Sequence, residues 1–203
     1  MSTDLLWPPA VQLSDLLQPG TRLTDEELIR FSRQNRPYRF ERNRDGEITM
    51  MSPVGGLGSI HEAIVAGALT VWTQDTGHGV AFAPNVGFNL PDGSCLAPDA
   101  AWLSRSRWQA LTFEQQKGFP PLCPEFVVEV RSHSDTRRAA EDKMKLWMEH
   151  GAQLAWLIDP VDGRATILRS GKPDEELIKP DVLKGDGPLE GFVLKAAPLW
   201  EGV

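Results

Sequence analysis

The sequence predicts a mixed β-sheet packed against helices, α/β or α+β in class. Two observations carry this. Runs rich in β-branched and aromatic residues, such as the one from Phe126 to Val130, alternate with segments whose apolar residues recur at helical spacing, such as Ile60, Ile64, Val71 and Trp72. Turn signals at Arg44-Asp45-Gly46, Pro91-Asp92-Gly93 and Pro160-Val161-Asp162-Gly163 separate further strand-like runs at hairpin spacing.

Taken in order, residues 1–20 are proline-rich and irregular, and are expected to form an N-terminal arm ahead of a domain over 21–203. Thr24-Asp25-Glu26-Glu27 fits a capping box, with a helix running to about Asn35. Tyr38 to Glu41 and Glu47 to Met51 read as paired strands. The Gly-rich stretch from Pro53 to Gly58 lacks the Lys-Ser/Thr of a phosphate loop. Ser59 to about Asp75 is a helix, apolar most of the way round and therefore expected to be buried, ended by Gly77 and Gly79. Val80 to Leu90 and Cys95 to Leu103 read as a strand and its return. A polar stretch with Trp108 suits a short helix. Glu125 to Arg131 is a strand, and Ser132-x-x-Asp135 resembles a cap for a helix that ends at His150-Gly151. Leu154 to Asp159 and Arg164 to Arg169 form a hairpin, and a last strand lies near Phe192 to Leu194.

Composition narrows the function classes. At 203 residues and 41% hydrophobic, the chain can bury a sizeable core and is neither disordered nor fibrous. No apolar run reaches the roughly 18 residues of a membrane helix, and the first residues lack the basic start of a secretory signal. Cys95 and Cys123 make neither a disulfide framework nor a zinc quartet, so a reduced, cytoplasmic setting is expected. The net charge of −7 argues against tight non-specific nucleic-acid binding. Arg30, Arg33, Arg36, Arg39, Arg42 and Arg44 nevertheless crowd one stretch, as a solvated face or a local patch.

Three charged residues stand out. Asp99 and Glu129 lie within or beside apolar runs, where a carboxylate is costly unless a metal or cation pairs with it. Strand parity puts Glu129 on one face with Val127 and Arg131. Glu129 is thus either a functional acid or half of a structural pair with Arg131, and Asp99 is either functional or turn chemistry. On a helical wheel Lys143 edges the stripe of Thr136, Ala140, Met144 and Trp147, whereas Lys145 faces away. Lys143 can therefore carry its ammonium inward, or simply snorkel. Two acids and a lysine are the minimal set for metal-assisted phosphodiester hydrolysis.

The chain resembles the Uma-two family within the PD-(D/E)XK, restriction-endonuclease-like superfamily. The segments that carry the resemblance are Asp45-Gly46-Glu47-Ile48, Met51-Ser52-Pro53, His61, Pro98-Asp99, the run from Pro124 to Ser132 with Ser134-Asp135, Lys143, Gly151, and the run from Trp156 to Pro160. The resemblance implies a restriction-endonuclease-like central mixed sheet flanked by helices, with Asp99 and Glu129 as metal ligands. The superfamily's lysine two residues after the second acid is replaced by Arg131, which cannot serve as a base near neutral pH. The family suggests that the lysine has moved to Lys143, in agreement with the wheel. His133 stands where the family more often has proline.

Hard oxygen ligands suit Mg²⁺ or Mn²⁺, with DNA as the expected substrate and Lys143 orienting water and stabilising developing charge. Glu47 and His61 are further candidates for a ligand or a supporting contact, with a satisfied core histidine as the plainer account of His61. A non-catalytic regulatory or dimerising module is the alternative, and a glycosidase ranks below it because it leaves Lys143 unused. A homodimer is expected from the arm and from tryptophans taken to be exposed; no membrane partner is.

Overall fold

The computed structural model describes residues 22–201; the expected arm and its Trp7 lie outside them. Helix α1 (Asp25–Gln34) starts at the capping box, where Thr24 accepts from the Glu27 amide and the Glu27 carboxylate accepts from the Thr24 amide at 2.8 Å. Strands β1 (Arg39–Arg42) and β2 (Ile48–Met51) pair antiparallel around Gly46, whose φ of +88° explains the glycine in that turn.

Helix α2 (Gly56–Thr76) begins before the expected Ser59, with Gly55 as its N-cap. It is not buried all round. His61, Val65 and Leu69 face inward, while Leu57, Ile60 and Val71 are exposed, because the sheet covers one side only.

The expected strand from Val80 to Leu90 is two strands, β3 (Gly79–Phe82) and β4 (Phe88–Asn89), and the return is also two, β5 (Cys95–Leu96) and β6 (Ala100–Ser104). The pieces join different sheets. The first break contains Asn85 at a φ of +84°, and the second contains Pro98, which has no N–H to give a ladder. Asp99 therefore sits where the chain passes from one sheet to the other.

Next come α3 (Arg105–Gln109), α4 (Phe113–Lys117), β7 (Phe126–Val130), α5 (Arg137–Glu149), β8 (Leu154–Asp159) and β9 (Arg164–Arg169), followed by β10 (Glu175–Ile178), β11 (Val182–Lys184) and β12 (Val193–Lys195). Thr136, not Ser132, caps α5; Ser132 bonds Asp135 within the preceding loop at 2.7 Å.

The main sheet runs β10-β9-β8-β7-β6-β3, parallel only at β7–β8, the pair joined by α5. A second sheet runs β2-β1-β5-β4, and β11 pairs with β12. Alternation along β7 places Phe126 and Val128 against the α2 side, with Trp156, Leu69 and Phe192. Val127 lies on the α5 side, with Met144 and Trp147. This is a mixed central sheet flanked by helices, as the sequence predicts. Among the described residues, no helix is long and apolar enough to cross a membrane.

Candidate functional site

The site forms where β1, β6, β7, α2 and α5 meet. Strand β7 is buried on both faces, so an acid on it must find partners. Glu129, 7% exposed, has two donors from successive turns of α5: Trp147 Nε1 donates to Oε1 at 2.8 Å and Lys143 Nζ to Oε2 at 3.0 Å. Asp99, equally buried, is fixed to the same strand. Its amide donates to the Val128 carbonyl at 3.0 Å, and its Oδ2 accepts from the Val130 amide at 2.8 Å. The carboxylate takes a ladder position that a backbone carbonyl would otherwise fill.

The structure thus brings Asp99, Glu129 and Lys143 together. Lys143 also donates to the Ala97 carbonyl at 3.0 Å and lies 2.8 Å from Glu41 on β1, which itself accepts from the Ala97 amide at 2.8 Å. Arg39, two residues before Glu41 on the same face of β1, donates to Asp99 Oδ1 at 3.2 Å and reaches Glu62 of α2 at 3.5 Å. Lys145 bonds Asp142 on the exposed side of α5.

Glu41, Arg39, Glu62 and Trp147 were not singled out by sequence. Signals for them existed. Glu62 is the one charged residue between Gly56 and Gln74, and Arg39 and Glu41 alternate with Phe40, a core residue. Trp147 lies in the apolar stripe of its helix, and a buried indole N–H there usually needs an acceptor.

Two other expectations are corrected. Glu47 is exposed on the β1–β2 turn and bonded to Asn43 at 2.7 Å, not to any site residue; it lies beyond the turn end of β1, away from Arg39. Arg131 does not pair with Glu129. It turns to Asp159 and Asp162, at 2.8 and 3.0 Å, once β7 has ended. His61 is buried beside Glu62 with its Nε2 unpartnered, and burial, with His133 nearby, holds its pKa below the usual histidine value. The described tryptophans are buried or half-buried, so they give a homodimer no support.

Charge balance governs the site. Four carboxylates (Glu41, Glu62, Asp99, Glu129) face two cations (Arg39, Lys143), leaving a formal charge of −2. Burial, together with the Asp99 charge, pushes Glu62 up to about 7 against the pull of Arg39. Burial likewise pushes Glu129 up to about 8, opposed by Lys143 and reinforced by Asp99 and Glu41. Burial works against the Lys143 charge, but Glu129, Glu41 and Asp99 outweigh it and hold the amine well above its usual value. Lys143 is therefore an ammonium, and the excess of negative charge is met by protons held on Glu62 and Glu129.

Does this donor set fit a divalent cation? Among the described residues no three acidic, imidazole or thiol groups converge as a closed ligand set. Mg²⁺ does not require one: it keeps several waters and takes one or two carboxylates plus substrate phosphate. All-oxygen donors, on acids whose raised pKa values show a want of positive charge, fit such a cation, which would displace their protons.

The mixed central sheet flanked by helices is a restriction-endonuclease-like α/β architecture. The chain belongs to the Uma2 family, described as "Putative restriction endonuclease", whose profile matches residues 25–197. In fold it is similar to a crystal structure described as a putative nuclease belonging to DUF820 from Anabaena variabilis ATCC 29413, with a TM-score of 0.67 and 18% identity over 79% of this chain and 89% of that one. A DrdV-DNA complex aligns with a TM-score of only 0.38 and 14% identity, over 59% of this chain and 10% of that one, too little to carry an argument. No curated protein matches the sequence.

Proposed function

We propose that the chain is an Mg²⁺- or Mn²⁺-dependent endonuclease that hydrolyses DNA phosphodiester bonds. Asp99 and Glu129 are the metal ligands and Lys143 is the catalytic cation. Family membership supports the nuclease class. The observation that carries the residue assignment is the placement of Lys143 Nζ 3.0 Å from Glu129, on the strand that also fixes Asp99.

When bound, the divalent ion would polarise the phosphate and lower the pKa of a water. The rest is done by the chain. Lys143, held as an ammonium by Glu129 and Glu41, cannot accept a proton near neutral pH. It acts by holding positive charge where negative charge develops on the phosphate. Glu41, anchored to the Ala97 amide, is a positioning residue for that amine. The Val130 amide keeps Asp99 aimed at the same point. Glu62, displaced from full ionisation by burial and by the Asp99 charge, is the next available acid.

The test is cleavage of plasmid and oligonucleotide DNA with Mg²⁺ or Mn²⁺ by wild type, Asp99→Ala and Lys143→Ala. The expected result is activity in wild type only, and equal activity in all three would sink the assignment. The donors already on Asp99 (Arg39 and the Val130 amide) and on Glu129 (Lys143 and Trp147) favour a second reading, a nuclease-fold regulatory module. Calorimetry separates the two: absence of heat with millimolar Mg²⁺ or Mn²⁺ would support the module.

A further inference from the structure

A cleft of about 540 Å³ opens between α1, β1, the turn around Asn85 and the end of α4. Its walls carry Arg33, Arg36, Arg39 and Lys117, and none of its described lining residues is acidic. In a chain of net charge −7 this concentration of positive charge stands apart. Arg33 spans from α1 to the Lys117 carbonyl at 3.0 Å, and Lys117 has Glu114 beside it at 3.4 Å. Among the described residues, neither Arg33 nor Arg36 has a carboxylate within salt-bridge distance. Ser32 also lines the cleft, with its hydroxyl turned away from solvent. Tyr38, 42% exposed, and Phe119 add aromatic surface. Guanidinium groups without a carboxylate partner and aromatic rings are the recognition set of phosphate and base together.

The cleft leads to the acid site. Arg39 and Ala97 belong to both: Arg39 bonds Asp99, and the Ala97 carbonyl accepts from Lys143. Its volume lies in the roughly 300–1,000 Å³ range of small-ligand pockets. That is too small for a duplex, whose major groove alone is about 12 Å wide. We propose that this cleft binds a single-stranded stretch of DNA and leads it to the carboxylate site at its inner end. The inference rests on the nuclease reading for what lies at that end, but not for binding itself.

The experiment is fluorescence anisotropy of a labelled oligothymidine strand, and of a blunt duplex of matched length, in EDTA over a series of salt concentrations. Wild type is expected to bind the single strand more tightly than the duplex. Arg36→Glu is expected to weaken single-strand binding at least tenfold. Arg36→Gln is expected to flatten the plot of log K against log salt by about 0.7, the loss of one phosphate contact on a single strand. Tyr38→Ala, on an exposed ring, is a second variant that keeps the fold. Binding of the strand within twofold of wild type by both Arg36→Glu and Tyr38→Ala overturns the proposal, as does no binding by wild type or tighter binding of the duplex. Cleavage retained with Arg36-independent binding rejects the cleft and leaves the nuclease reading standing. Arg36-dependent strand binding in a protein that never cleaves does the reverse.

Discussion

Trp147 donates its indole N–H to Glu129 at 2.8 Å, from one helical turn beyond Lys143. The two residues hold the two oxygens of a single buried carboxylate, so α5 sets both the orientation and the charge of the acid on β7. Trp147→Phe keeps most of the ring packing against Phe88 but leaves Glu129 one donor short. An unmet buried hydrogen bond costs about 1–3 kcal/mol. The expected outcome in urea unfolding is a loss of that size, with a lower divalent affinity in calorimetry. A variant as stable as wild type would remove the orienting role.

Lys143 and Glu129 are expected to be strongly coupled. Removing one partner of a buried pair costs about 3–5 kcal/mol because the other charge is left uncompensated. Lys143→Met and Glu129→Gln should each destabilise the metal-free protein. The double variant is expected to be more stable than the Lys143→Met single, since Glu129 no longer carries an unmatched charge there, while Glu41 loses Lys143 in both. Denaturant midpoints across the cycle measure the coupling. Additive single and double effects would show that the pair is too well solvated to matter.

The core of this arrangement was legible in the sequence, and its surroundings were not. Glu129 and Lys143 could be read because each sits in a regular element whose period fixes its direction. Asp99 was legible as an acid beside apolar residues, but its special position was not: the break at Pro98 divides what reads as one continuous strand between two sheets. Glu41 and Arg39 come from a hairpin some sixty residues away along the chain, and no local period says that β1 meets β5. Strand β10 is not legible because Glu175-Glu176-Leu177-Ile178 is an exposed edge with no alternation to read, and β11 is only three residues long.

Glu62 supplies a pH dependence. Its folded pKa is raised to about 7 from the ordinary 4.5, so the folded state holds this proton more tightly than the unfolded chain. That contribution to stability is fully present below pH 4.5 and is lost as pH rises through 7. At about 1.4 kcal/mol per unit it amounts to at most about 3 kcal/mol. In EDTA, wild type is expected to lose stability between pH 5 and 8, and Glu62→Gln is expected to show a flatter profile there. Identical profiles would mean that Glu62 is ionised throughout. Since cations and protons compete for these carboxylates, divalent affinity in wild type is expected to rise over the same interval.

Arg131 occupies the sequence position where the superfamily's basic pattern has its lysine, and its contacts explain why it cannot fill that role. The side chain leaves the site as β7 ends and joins Asp159, which is 3% exposed, and Asp162 on the β8–β9 turn. It closes the parallel β7–β8 pair at the end from which α5 departs. Arg131→Met is therefore expected to behave as a stability variant. It leaves Asp159 buried without its cation, at a cost of about 3–5 kcal/mol. Yet no site hydrogen bond is lost, so DNA cleavage at low temperature should stay within a few-fold of wild type. Lys143→Met is expected to differ in activity, with cleavage abolished even where the protein is folded. Arg131→Lys, which restores the superfamily's residue at that position, should not rescue Lys143→Met, because the Asp159 contact holds the cation away from Glu129. Rescue would show that the chain still has two competing places for its catalytic cation.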